Sequence, residues 1–140
     1  MVQIIAGNRG IGKTKELLAF ANEAVKTAAG TLVYLDKSTK HMFELDNKVR
    51  LINVRDYPVR TVEAFMGFLC GIISQDHDLE TIYVDNFLTM TEISSPEMLT
   101  ETVSRLETLS IRCRVDFMIS LAMDPEDLPG DLRKLVRLAL

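Results

Sequence analysis

Val2-Gln3-Ile4-Ile5-Ala6-Gly7-Asn8-Arg9-Gly10-Ile11-Gly12-Lys13-Thr14 is an apolar run that passes straight into a glycine-rich turn. Gly7 to Thr14 fits G-x-x-x-x-G-K-[ST], and residues 15–29 that follow are helix-competent. Strand, glycine-rich loop and helix in that order are what the binding of a phosphate chain requires. Glycines let successive backbone N–H groups turn inward around an anion, and the next helix aims its positive dipole end at the same point. Lys13 would reach the terminal phosphates, and the Thr14 hydroxyl would ligate the magnesium that bridges them. The expected cradle is Gly7, Asn8, Arg9, Gly10, Ile11, Gly12, Lys13, Thr14 and Lys15. A glycine-rich turn that merely caps a helix is the plainer reading of the same letters. The strand before and the helix after argue against it.

Working outward, apolar clusters rich in β-branched residues recur at 2–6, 31–35, 50–54, 81–84 and 116–122. Helical spacing fills most of the intervals, at 13–29, 58–75 and 96–112, while residues 38–47 leave room for one or two turns. Apolar strands alternating with helices predict a mainly parallel sheet covered on both faces. The expected fold is α/β: five strands in a three-layer α/β/α domain spanning residues 1–140, with the loop strand central. Pro58, with Asp56 nearby, reads as one helix start, and Ser95-Pro96-Glu97 as another. A last helix is expected over residues 125–140, opened by Asp124 and Pro125. Its stretch Leu132-Arg133-Lys134-Leu135-Val136-Arg137-Leu138-Ala139-Leu140 has apolar residues at helical spacing and a basic face. That face would pack on the sheet, or mediate self-association or a protein partner.

Composition excludes several classes. A hydrophobic fraction of 47% and a charged fraction of 26% are ordinary for a globular chain. A net charge of −4 gives no sign of a nucleic-acid or acidic-membrane partner. The most apolar run, residues 64–73, is about half the ~20 residues a spanning helix needs, so it reads as a buried helix. The loop strand begins at Val2, which predicts no export signal and a cytoplasmic protein. Cys70 and Cys113 lack metal-type spacing and read as buried free thiols. His41 and His77 lie in polar surroundings and read as solvent-facing.

Two acids end strands. Ile82-Tyr83-Val84-Asp85 has the form of a Walker B box, and Asp85 is the expected metal-side carboxylate beside Thr14. An Asp that ends a strand and opens a turn is the alternative. Leu32-Val33-Tyr34-Leu35 leads to Asp36, followed by Lys37-Ser38-Thr39-Lys40. Parallel strands open their C-terminal ends on one crevice, so Asp36 and Asp85 should share the loop's side of the sheet.

The motif, Asp85 and the two strands between them resemble the RecA-like branch of the P-loop NTPases. That resemblance implies ATP and Mg2+ as ligands, and a last strand, residues 116–122, beside the loop strand. It also implies a water-activating carboxylate at Asp36, where the RecA recombinases place the longer Glu. Ser120 takes the place of the polar sensor such folds set near the γ-phosphate. Asn86 follows Asp85 where many related ATPases carry Glu, and an amide can orient water without taking its proton. Arg105, Arg112 and Arg114 offer an arginine finger or, with Glu101 and Glu107, a solvated helix face.

Three functions remain open at this level. One is a small ATP-binding protein with slow ATPase turnover that serves as a regulatory or assembly module. The second is a small-molecule kinase. Its only acceptor-side loop, Phe87-Leu88-Thr89-Met90-Thr91-Glu92-Ile93-Ser94-Ser95-Pro96, carries no Arg or Lys, which argues against it. The third is a non-hydrolysing subunit of a larger complex. The sole Asn-Lys pair, Asn47-Lys48, runs into Val49-Arg50 and makes no [NT]-K-x-D guanine box, so ATP is expected over GTP.

Overall fold

Val2, Ile4 and Ala6 face one side of strand β1 (Val2–Gly7) and Ile5 the other, and all four are buried. A strand buried on both faces needs cover above and below, and the computed structural model, which describes residues 1–10 and 12–140, supplies it. The order along the chain is β1, α1 (Lys13–Ala24), β2 (Thr31–Asp36), β3 (Val49–Asn53), α2 (Val62–Ser74), β4 (Leu79–Val84), α3 (Phe87–Thr91), α4 (Pro96–Cys113), β5 (Asp116–Ala122) and β6 (Val136–Ala139). The strands form one sheet in the order β3-β2-β4-β5-β1-β6, and every pairing is parallel.

On one face Leu17, Leu18 and Ala21 of α1 pack over Ile5, Leu32, Tyr34 and Met118. The other face carries the larger core, where Phe65 and Leu69 of α2, Phe87 and Met90 of α3, and Leu99, Val103 and Leu106 of α4 meet the sheet. The α/β architecture with helices on both faces agrees with the sequence reading. No helix among the described residues is long and apolar enough to cross a membrane.

Four details differ. The sheet has six strands rather than five, because the expected C-terminal helix is absent. A 3-10 helix at Gly130–Leu135 leads instead into β6, which pairs with β1, and the Leu140 N–H donates to the Ala6 carbonyl at 2.8 Å. Left unpaired, that edge of β1 would keep backbone groups in need of partners, and Val136, Leu138 and Leu140 alternate as a strand requires. No helical face is therefore available there for a partner. As a second consequence, β1 lies inside the sheet but only one strand from its edge. Third, α2 starts at Val62 rather than near Pro58, because the Thr61 hydroxyl caps it by accepting from the Ala64 N–H at 3.1 Å. Fourth, Cys70 is exposed and Cys113 only partly buried, since α2 rests on the core through Phe65, Met66 and Leu69 and turns Gly67, Cys70 and Gly71 outward.

Two glycines separate the demands of close packing from those of helix propensity. A Cβ at Gly30 would lie 1.9 Å from the Asp78 backbone oxygen, the same oxygen that accepts from the Thr31 N–H. Gly67, inside α2, has nothing within 4 Å of its missing Cβ. We expect Gly30→Ala to cost about 1–3 kcal/mol by overpacking and Gly67→Ala to gain about 0.5–1 kcal/mol by helix propensity. Urea unfolding midpoints check both, and a Gly30→Ala variant as stable as the parent chain would contradict the packing described here.

Candidate functional site

Beyond the C-terminal end of β1 the chain turns through Gly10 (φ 85°) and Gly12 (φ 90°), a left-handed backbone that only glycine adopts without strain. Neither position is crowded, so conformation rather than space requires glycine there. Gly12 caps α1 and offers no side-chain acceptor to the amides of the first turn. Those N–H groups stay available to an outside anion. Ile11 lies outside the described residues.

Arg9, Gly10, Gly12, Lys13 and Thr14 line one wall of a cleft of about 620 Å³ at the C-terminal ends of the strands. Lys13 is buried, and its ammonium donates to the Asn8 carbonyl at 2.8 Å. Burial lowers its pKa, the Asp85 charge opposes that, and Arg9 adds to the lowering. Gly7 ends β1 with its Cα side against Leu140 and the Lys13 stem. The Asn8 side chain reaches toward Asp124 at 3.5 Å. Lys15 is exposed and borders a smaller neighbouring hollow with Thr14, Leu18 and His41.

Asp85 is the hub. Its carboxylate is 1% exposed and accepts from Thr14 Oγ1 at 2.7 Å, Ser120 Oγ at 2.6 Å, the Asn86 N–H at 3.0 Å and, more weakly, Tyr34 OH at 3.4 Å. These donors come from α1, β5, the turn after β4 and β2. Burying a carboxylate without such donors would cost several kcal/mol. Asn86 makes the turn in the left-handed region, φ 54°, which Asn tolerates better than most residues. Its N–H also donates to Ser120 Oγ at 2.9 Å. Ser120 therefore contacts Asp85 and positions it. The Tyr34 phenol, missed in the sequence, is fully buried beneath Asp85. Its pKa is pushed far up, first by burial and then by the Asp85 and Asp36 charges, so it remains a donor.

Asp36 ends β2 at 2% exposure. One oxygen accepts from the Lys37 N–H at 2.7 Å, while Oδ2 is buried with no partner among the described residues. Burial raises its pKa, the Lys37 N–H lowers it, the Asp85 charge raises it, and His41 and Lys37 lower it. Beyond Asp36, Lys37, Lys40 and His41 also line the cleft. His41 is partly exposed there and is held by Glu44 at 2.5 Å. Arg105 lies elsewhere, where it makes a two-pronged bond to Glu63 of α2 at 2.6 and 3.3 Å.

A raised folded-state pKa means the native state binds more protons than the unfolded chain. Asp36 thus imposes no penalty below its ordinary value of 3.8, and its penalty grows as pH rises through the folded-state pKa. We expect Asp36→Asn to raise the thermal midpoint at pH 7, with the advantage shrinking as pH falls to 4 and below. Melting curves across that range check it, and an advantage that grows toward acid would contradict the assignment.

No protein-family model and no curated protein matches this sequence, so the arrangement of Lys13, Thr14, Asp85 and Ser120 is the ground for a functional reading.

Proposed function

We propose that this chain binds a nucleoside triphosphate with magnesium, ATP in preference to GTP, as a small P-loop protein of the RecA-like branch. It works as a slow ATPase or a nucleotide-dependent regulatory or assembly module. The observation that carries this reading is the 2.7 Å bond that joins Thr14, which lines the cleft, to a carboxylate oxygen of the buried Asp85. It sets a hydroxyl and a carboxylate side by side where a phosphate chain would enter. Strand order supports the branch, because β5 separates β4 from β1 and Asp85 reaches Thr14 across the end of that strand.

Hard oxygen donors suit magnesium, which keeps most of its water and takes one or two protein oxygens besides phosphate. Among the described residues no three His, Cys, Asp or Glu side chains converge, so Thr14 and Asp85 would hold the ion together with the nucleotide. Bound there, magnesium would neutralise charge on the phosphate oxygens. Lys13 would exchange the Asn8 carbonyl for a phosphate oxygen, and the uncapped amides of α1 would turn to the same group. Ser120 and Tyr34 would hold Asp85 in place throughout.

Slow turnover follows from the lining of the cleft. Asn86, which lines it beside Asp85, cannot take a proton, and Asp36 is an acid one methylene shorter than the Glu of the RecA recombinases. Loss of well-placed general base catalysis is worth about 10²–10⁴ in rate. A kinase reading weakens further, because Phe87, Met90 and Thr91 bury α3, the first half of the acceptor-side segment 87–96, in the core.

Lys13→Ala should weaken ATP binding by about 10–100-fold, the worth of a hydrogen bond to a charged group. Ser120→Ala, which only loosens Asp85, should cost less and only when magnesium is present. Titration calorimetry reads both, and unchanged ATP affinity in Lys13→Ala would sink the proposal.

A further inference from the structure

The segment between β2 and β3, residues 37–48, forms no helix or strand, yet it is fixed at both ends. At its root the Asp36 carboxylate holds the Lys37 N–H. At its far end Asn22 of α1 donates to the Glu44 carbonyl and accepts from the Asp46 N–H, both at 2.8 Å, while Leu45 is buried against α1. Between these anchors Lys37, Lys40 and His41 are carried to the cleft.

Part of this charge is balanced from outside the cleft lining: Glu44 holds His41, and Asp36, whose pKa burial raises and the His41 and Lys37 charges lower, stands at the root of the arm. The chain as a whole is acidic, with net charge −4, but none of the cleft-lining side chains is a carboxylate. Neither Lys37 nor Lys40 has an ion-pair partner among the described residues. Arg9, Lys13, Lys37 and Lys40 line one concave site, and a multiply charged anion bound there would meet positive charge from both the glycine loop and the arm. Topology bears on which part of the anion the arm would meet. The glycine loop follows β1 and the lysine arm follows β2, with the ends of β5 and β4 between them. A phosphate chain seated on the loop with its terminal group toward the Thr14–Asp85 pair would have the arm beyond that group.

We propose that Lys37, Lys40 and His41 form a receptor for the terminal phosphate, so that the cleft distinguishes a nucleoside triphosphate from its diphosphate. This deepens the nucleotide reading above and rests on it. The loop amides grip the phosphates common to both nucleotides and Lys13 spans these and the terminal group, while the arm contacts only the group that the triphosphate alone has.

The test is the ratio of ATP–Mg to ADP–Mg affinity in the parent chain, in Lys40→Ala and in Lys37→Ala/Lys40→Ala, by titration calorimetry. The double variant should lose about tenfold or more in ATP affinity, a charge-assisted contact or two, while ADP affinity changes less than about twofold. Lys40→Ala should fall between. Equal losses for both nucleotides, or an unchanged ATP affinity, would overturn the receptor while leaving the nucleotide reading standing. A parent chain that binds neither nucleotide would overturn both.

Discussion

A single buried carboxylate organises this molecule. Asp85 ends β4, is almost wholly excluded from water, and takes hydrogen bonds from Thr14, Ser120, Asn86 and, more weakly, Tyr34. Each donor comes from a different element, so satisfying one charge fixes the first turn of α1 against the ends of three strands. Hydrogen bonds to a charged group are worth about 1.5–3 kcal/mol each, and together they offset the cost of taking the carboxylate out of water. The Thr14 hydroxyl and the Asp85 carboxylate are thereby held side by side.

The sheet makes this convergence possible. All six strands run parallel, so every strand end that carries a polar residue opens on the same side. β1 delivers the glycine loop, β4 delivers Asp85, β5 delivers Ser120, and β2 delivers Tyr34, Asp36 and the lysine arm. The C-terminal residues pair as β6 along the otherwise open edge of the buried strand β1 instead of forming a helix. The site and the topology have the same origin.

Much of this could be read in the residues, and the misses have identifiable causes. The glycine-rich turn after β1 was readable because its conformation demands particular residues, and Gly10 and Gly12 take left-handed angles that favour glycine. Asp85 was readable because an apolar run ending in an acid marks a strand end. Residues 132–140 misled because Leu132, Leu135, Val136 and Leu140 fit a helical period, while Val136, Leu138 and Leu140 equally fit a strand period. Only the unpaired edge of β1 decides between them. The burial of Asp36 and the binding of Ser120 to Asp85 depend on contacts between elements far apart in sequence. His41 reaches the cleft because Asn22, on α1, anchors the chain just past it. Tyr34 had a local signal that went unused: a tyrosine inside an apolar strand needs a partner for its hydroxyl.

The central claim is that the Thr14–Asp85 pair is a magnesium–nucleotide site. Titration calorimetry of ATP, with magnesium and with chelator, on the parent chain and on Asp85→Asn tests it most directly. The account predicts that magnesium strengthens binding to the parent chain. It also predicts that Asp85→Asn loses most of this gain and keeps the magnesium-free affinity that Lys13 and the loop supply. A magnesium effect of the same size in both proteins, or no ATP binding by the parent chain, would contradict it.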